Sequence, residues 1–408
     1  MEGLVTISDI QNILVEDILP AIKNQLPEKA PMWQIFGGWE AGEDGLMTES
    51  KVNPIQAEME TFKNNSISVI IKNGRSSTNG IAPGEKFTYG KAATGKGTLS
   101  FVTAVGAFLI PKSILKQKND GTIVNTLNLE NDEMKDALAM SLNRQCYGDG
   151  SSTLAFVAAS GSSKTVTLKP KATAASLYNG DIPMGEYFAI GDKVKIGANA
   201  ITTVDGIVGD NSITVKDTQT LVANTTIKKY NASDVLVSEL SGLGLMVDDS
   251  STYLTINPAT DASWKAFKNT NNNTAKTFAK GDWNIPFQKA KKKGSAKLIV
   301  CNMTEFNAYG NTLTDMVRAE VKDVLSGGWN GLSFMGGQAS ILLDTDCPDD
   351  RVYFLSPEVM FKAELYPLEF EPMQRVGQQL DYESVMSTAC NTATYKRGAH
   401  SVLTNRVG

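Results

Sequence analysis

Side chains able to do chemistry are few in this chain, and they stand apart. His400 is the only histidine, and no serine or cysteine motif surrounds it. A nucleophile–base arrangement has nothing to be built from, so a structural or exposed histidine is expected. Cys146, Cys301, Cys347 and Cys390 are scattered, without a C-x-x-C pair or a short-loop framework. Neither a zinc site nor a disulfide scaffold follows, and free thiols in a reducing cytoplasm are expected. GKAATGKGT at residues 90–98 satisfies G-x4-G-K and then departs from a phosphate loop. Gly97 stands where Ser or Thr would meet magnesium, Thr98 comes one place late, and the text that follows alternates with period two instead of opening a helix. DTDCPDD at residues 344–350 could gather carboxylates around calcium, yet it lacks the loop glycine and closing glutamate of an EF-hand, so a solvated turn is expected. KAKKK at residues 289–293 offers cations to nucleic acid, although lysines closing a helix also complement its dipole without any partner. No catalytic, cofactor-binding or metal-ligating set emerges, and the expectation is a protein that is not an enzyme and carries no cofactor.

Composition narrows the class further. The 408 residues suffice for two or three domains of the usual ~100–200 residues and for a sizeable core. A hydrophobic content of 41% with 20% charged residues describes an ordinary globular protein. The 39 basic and 44 acidic residues leave a formal net charge of −5, which argues against a dedicated nucleic-acid binder. The opening MEGLVTISDIQ has no basic region before an apolar core, and no run approaches the ~18 apolar residues of a span. Neither export nor a membrane partner is expected.

The elements that must position these residues can be taken in order. Ser8 caps an expected helix over residues 9–26, with Ile10, Ile13, Leu14, Ile18 and Ile22 on one stripe and Pro20 dividing it. Trp33, Phe36 and Trp39 among glycines read as aromatic anchors of an extended arm. Residues 51–112 read as a long hairpin: SISVIIK as one strand, a Gly- and Pro-rich tip, then residues 87–105 returning. An isolated two-stranded ribbon is barely stable in water, so it must lie on another domain or on a neighbouring subunit. Residues 129–150 then read as a capped amphipathic helix, with Met134, Leu138, Leu142 and Cys146 at four-residue spacing and a Gly148–Gly150 stop. From Ser151 to about Asp261, short strands rich in Thr and Val at regular spacing predict a small barrel or sandwich inserted in the chain. NTNNNT at residues 269–274 reads as a loop. From Lys280 the text turns α/β. Trp283, Phe287 and Ala290 share a helix face, AKLIVCN is a buried strand, residues 314–325 predict a second helix, RVYFLSP is a strand, and the last segment reads as strand, turn, strand.

An amphipathic arm, a protruding hairpin, a long helix and an α/β part broken by a β-rich insertion suit interlocking subunits better than an enzyme. At this point the chain resembles a family. The helix ending in RQCYGDGSSTLA, the hairpin upstream of it, and AKLIVCNMTEFNAY followed by GGWNGLSFMGGQASILLDTDCPDDRVYFL are similar to the spine helix, extended loop and later strands of tailed-bacteriophage major capsid proteins of the HK-ninety-seven type. The resemblance runs from about Lys51 to the end. It implies an α+β phage major capsid fold: residues 1–50 an N-terminal arm, 51–112 the extended loop, 113–150 a peripheral domain with the spine helix, 151–261 a β-rich insertion, 262–371 an axial α/β domain, and 372–408 strands returning to the core. It further implies self-assembly into pentamers and hexamers of an icosahedral shell around double-stranded DNA. A portal protein and a separate scaffolding protein are then expected partners, and the virion capsid, assembled in the host cytoplasm, the expected location. DNA contact would be weak and non-specific on the inner face, through local cations such as Lys291 to Lys293 or Arg397. No N-terminal processing and no lysine–asparagine crosslink are expected. Intact mass from mature particles tests the former. Deleting residues 74–85 should leave a folded protomer that assembles poorly. The alternative is a β-rich adhesion or carbohydrate-binding protein of a virion or cell surface, supported by the insertion and the aromatics.

Overall fold

The computed structural model describes residues 14–19, 29–37, 39–41, 47–49, 60–63, 66–72, 94–110, 120–170, 183–279, 281–313, 324–325, 329–330, 332–335, 337–375 and 382–406. The spine helix is longer than its periodicity suggests, running Asp120–Tyr147 over 28 residues, or about 42 Å at the α-helical rise. Apolar spacing alone starts it near Leu129. Its first turns carry Gly121, Thr122, Asn125, Thr126 and Asn128, weak helix formers that blur the pattern. The helix stops where the sequence says it should: the Gly148 N–H bonds back to Gln145 O at 3.0 Å, and Gly150 takes φ +73°. Its buried stripe of Met134, Leu138, Leu142 and Cys146 packs into the largest core.

Two sheets flank that core. In the first, the 13-residue strand Tyr382–Thr394 pairs antiparallel with Val102–Ile110 on one edge, and with Met360–Phe370 and Gln374–Arg375 on the other. Gly106 lets the spine helix approach this sheet closely, since a Cβ there would lie 3.0 Å from Met134 Cγ. The second sheet has six strands in the order Phe267–Asn269, Ser401–Leu403, Val352–Leu355, Leu298–Cys301, Ala339–Leu343, Leu332–Phe334. Its central strands are buried on both faces. Leu298, Val300, Tyr353, Leu355 and Val402 face the main core, while Ile299, Cys301, Val352, Phe354 and Leu403 face another built on Trp283 and on Phe287 of the helix Asn284–Lys293.

The hairpin differs from its sequence reading. Ser66–Lys72 and Thr94–Ser100 pair in register, with Glu60–Lys63 beside them, and Ile67, Val69, Ile71 and Leu99 enter the main core. The returning strand is not continuous. It breaks at buried Phe101, Asn391 Nδ2 donates to Ser100 O at 2.7 Å, and Val102–Ile110 continues in the other sheet. The expected tip lies outside the described residues.

Residues 153–230 hold a closed six-stranded barrel, in the order Ile201–Gly209, Ser212–Leu221, Gly161–Lys169, Thr153–Val157, Thr226–Tyr230, Lys193–Ile196. Alternate residues such as Val166, Leu168, Val194, Ile196, Ile213 and Val215 fill a separate core. Of the two architectures expected, barrel or sandwich, the chain forms the barrel. Lys228 pairs with Thr153, so the first and last strands lie side by side and the barrel hangs on one neck.

Two helix expectations need correction. Val324–Leu325, expected to end a helix from residue 314, is a short strand paired with Trp329–Asn330; residues 314–323 lie outside the described residues. The helix in this region is Met303–Leu313, whose start is capped by Asn302, the side-chain oxygen accepting from the Glu305 N–H at 3.1 Å. Near the N-terminus, Leu14–Ile18 forms one wide helical turn, and the rest of the helix expected over residues 9–26, apart from Leu19, lies outside the described residues. The arm is not simply extended: Pro31–Phe36 is a short helix that buries Trp33 and Phe36, with the Lys362 ammonium 4.5 Å from the Trp33 ring centroid.

Candidate functional site

The last turn of the spine helix is where the separate parts meet. Asn143 lies on its buried face, and its side-chain oxygen accepts the Met32 N–H of the arm helix at 3.1 Å. The amide nitrogen of the same side chain faces two carboxylates, 3.1 Å from both oxygens of Asp344 and 2.6 Å from Asp346 Oδ2. Because the Met32 N–H needs an acceptor, this amide has one satisfactory orientation. Tyr147, one turn on, donates its hydroxyl to Asp344 Oδ2 at 2.6 Å, and Tyr187 from the barrel donates to Asp346 Oδ1 at 3.1 Å.

A strap after the barrel closes the same joint. Arg144 pairs with buried Glu239, and Gln145 Oε1 accepts the Leu240 N–H at 3.2 Å. Gly242 then passes so near the helix end that a Cβ would lie 2.4 Å from the carbonyl oxygens of both Gln145 and Cys146. Only glycine fits there.

Electrostatics at the joint are unusual for surface-type residues. Burial, and then the neighbouring Asp346 charge, push the Asp344 carboxyl up to about 6. Burial also raises Asp346, against hydrogen bonds from Asn143 and Tyr187 and the Arg144 charge. A buried carboxyl with a half-buried one beside it on the same turn favours keeping one proton on the pair.

The other residues singled out in the sequence are placed as follows. His400 is fully buried, and burial drives its pKa down to about 3. Its Nδ1 accepts the Ser356 N–H at 3.3 Å, so Nε2 carries the proton and donates to Thr394 Oγ1 at 3.0 Å, which in turn donates to Val359 O at 2.7 Å. It is structural. The four cysteines are buried and free, and burial raises all four thiols, Cys390 to about 12. Residues 94–98 of the glycine-rich motif lie in a strand whose Thr98 N–H bonds Leu254 O at 3.3 Å, as the period-two pattern predicts. The 344–350 turn is solvated only in part: Thr345 is exposed, but Asp344 and Asp350 are buried, the spine helix covering the first and Arg351 pairing with the second. Among the described residues no three His, Cys, Asp or Glu side chains are grouped to hold a metal ion.

Arg397 corrects another expectation. The sequence groups it with Lys291 to Lys293 as a local cation for DNA, but it is fully buried. Its guanidinium donates to Met246 O, Ser251 O and Leu245 O at 3.2, 2.9 and 2.8 Å, satisfying carbonyls at and beyond the end of the helix Leu243–Met246. Lys291, Lys292 and Lys293 are exposed at the end of their helix. The joint escapes sequence reading because Asn143 and Tyr147 stand 201 and 197 residues from Asp344. The only local signal is polar side chains on an apolar helix face.

No family model and no curated protein matches this sequence. Solved structures do. The chain is similar to one in the cyanophage A-1(L) capsid asymmetric unit, at 11% identity and TM-score 0.50, covering 93% of each chain. It also resembles a chain of the capsid of a native GTA particle, at 8% identity, TM-score 0.40 and coverage of 85% and 86%. A third likeness is to the satellite phage P4 procapsid including size determination (Sid) protein, at 9% identity, TM-score 0.38 and coverage of 95% and 91%. The first of these shows the fold.

Proposed function

We propose that this chain, which has the α+β phage capsid fold, is a major capsid protein: a structural subunit, not a catalyst, assembling into pentamers and hexamers of an icosahedral shell around double-stranded DNA. The observation that carries the reading is the likeness to the cyanophage capsid chain, which covers 93% of each chain at TM-score 0.50. The surface supports it. Among the described residues no strand pairs with the outer edge of Val102–Ile110, and Val105 and Leu109 on that strand are 56% and 54% exposed. Such an edge favours contact with another subunit.

In this reading the sheet around Tyr382–Thr394 and the spine helix form the peripheral part, and the six-stranded sheet forms the axial part. A portal, a separate scaffolding protein and weak DNA contact through Lys291 to Lys293 complete the proposal, in a virion assembled in the host cytoplasm. Negative-stain microscopy of the purified chain tests it. Shells or capsomer rings are expected; small discrete particles at every concentration would favour the adhesion or carbohydrate-binding alternative.

A further inference from the structure

The joint at the end of the spine helix holds more than a structural contact requires. Asp344 and Asp346 stand on one turn, both against the same Asn143 amide nitrogen, and the Asp346 N–H bonds Asp344 Oδ1 at 3.0 Å. That amide has two hydrogens for three carboxylate contacts. Asn143 also holds the arm through the Met32 N–H, and Asp346 holds the barrel through Tyr187. Arm, spine, barrel and six-stranded sheet therefore share a single hydrogen-bond network through this pair.

We propose that Asp344 and Asp346 share one proton, and that losing it loosens the grip of the joint on the arm helix and the barrel. The groups around the pair define how it titrates. The spine helix presents Arg144, Cys146 and Tyr147, the 344–350 turn presents Cys347, and the barrel presents Tyr187; Lys362 and Cys390 of the sheet around Tyr382–Thr394 act on Cys146 beside the pair. Arg144 is the cation acting on Asp346, and it is already paired with Glu239. Lys362 lies over the Trp33 ring. With both carboxylates ionised, one buried and one half-buried negative charge stand on the same turn against one committed arginine, and the least costly relief is for the turn to open to water.

The sign follows from linkage. A carboxyl raised from 3.8 to about 6 stabilises the closed joint fully below 3.8, and this is lost as pH rises through about 6. An open joint with ordinary carboxyls then gains population by about tenfold between pH 5 and pH 8, because each unit between the two pKa values can contribute up to a factor of ten.

Amide hydrogen exchange of the purified full-length chain tests this, read as protection factors for the arm-helix amides around Met32 and for Tyr187, after correction for the intrinsic pH dependence. Protection at both places should fall about tenfold from pH 5 to pH 8. Asp344→Asn removes the carboxyl that burial raises while keeping an acceptor for Tyr147, and should flatten that dependence. Should Asp344→Asn fail to fold, Asp346→Asn, which removes only the neighbouring charge, should weaken the dependence, and the wild-type profile alone remains decisive. Protection unchanged across this range in the wild type, or an equal fall in a folded Asn variant, overturns the proposal.

Discussion

Tyr147, the last residue of the spine helix, donates its hydroxyl to Asp344 Oδ2 at 2.6 Å across 197 residues of sequence. This contact fastens the helix end to the turn after the strand Ala339–Leu343. Tyr147→Phe removes the donor and leaves a buried carboxyl group short of one partner, at a cost of about 1–3 kcal/mol. Urea unfolding should show the lower midpoint with an unchanged slope.

Gly242 is the second dependency of the joint. Gly242→Ala forces a methyl group to within 2.4 Å of two helix carbonyls, so the strap must move away. A loss of about 3 kcal/mol or more is expected, at the upper end of overpacking costs. Thermal unfolding of the variant checks it, and a melting temperature equal to wild type would contradict the close approach.

Arg397→Met tests the buried guanidinium. It keeps the apolar volume and strips donors from three carbonyls, costing on the order of 3 kcal/mol in denaturant unfolding. If Arg397 served DNA instead, the variant would keep its stability and lose only affinity for nucleic acid.

His400 sets a pH dependence on the acid side. Its folded pKa of about 3 lies below the ordinary 6.5, so below pH 6.5 the unfolded chain takes up a proton that the folded chain refuses. Stability from this group is complete above 6.5 and is lost as pH falls towards 3. The Asp344 contribution runs the other way between 3.8 and about 6, so the two partly offset. His400→Gln should therefore make the urea midpoint fall less between about pH 6.5 and pH 4 than in the wild type.

The barrel should fold alone. Its core is separate and its first and last strands are paired, so a fragment of residues 151–232 is expected to show β-rich circular dichroism and a cooperative melt. A disordered fragment would mean that the barrel depends on the Tyr187 contact and the strap.

Much of this fold is legible in the sequence because it rests on local periodicity. Met134, Leu138, Leu142 and Cys146 mark the spine by spacing alone, the Gly148–Gly150 stop marks its end, and the short strands of the insertion announce themselves by alternation and turns. Where local preference is weak, the boundaries move. The spine begins at Asp120, and the returning strand breaks at Phe101 because Tyr382–Thr394, far along the chain, supplies a new partner. The joint is not legible. Asn143, Tyr147, Gly242 and Asp344 are ordinary residues in their own neighbourhoods, and Arg397 looks like any surface cation. Burial and hydrogen bonding between distant segments decide what each does, and those depend on tertiary packing, which no local pattern encodes.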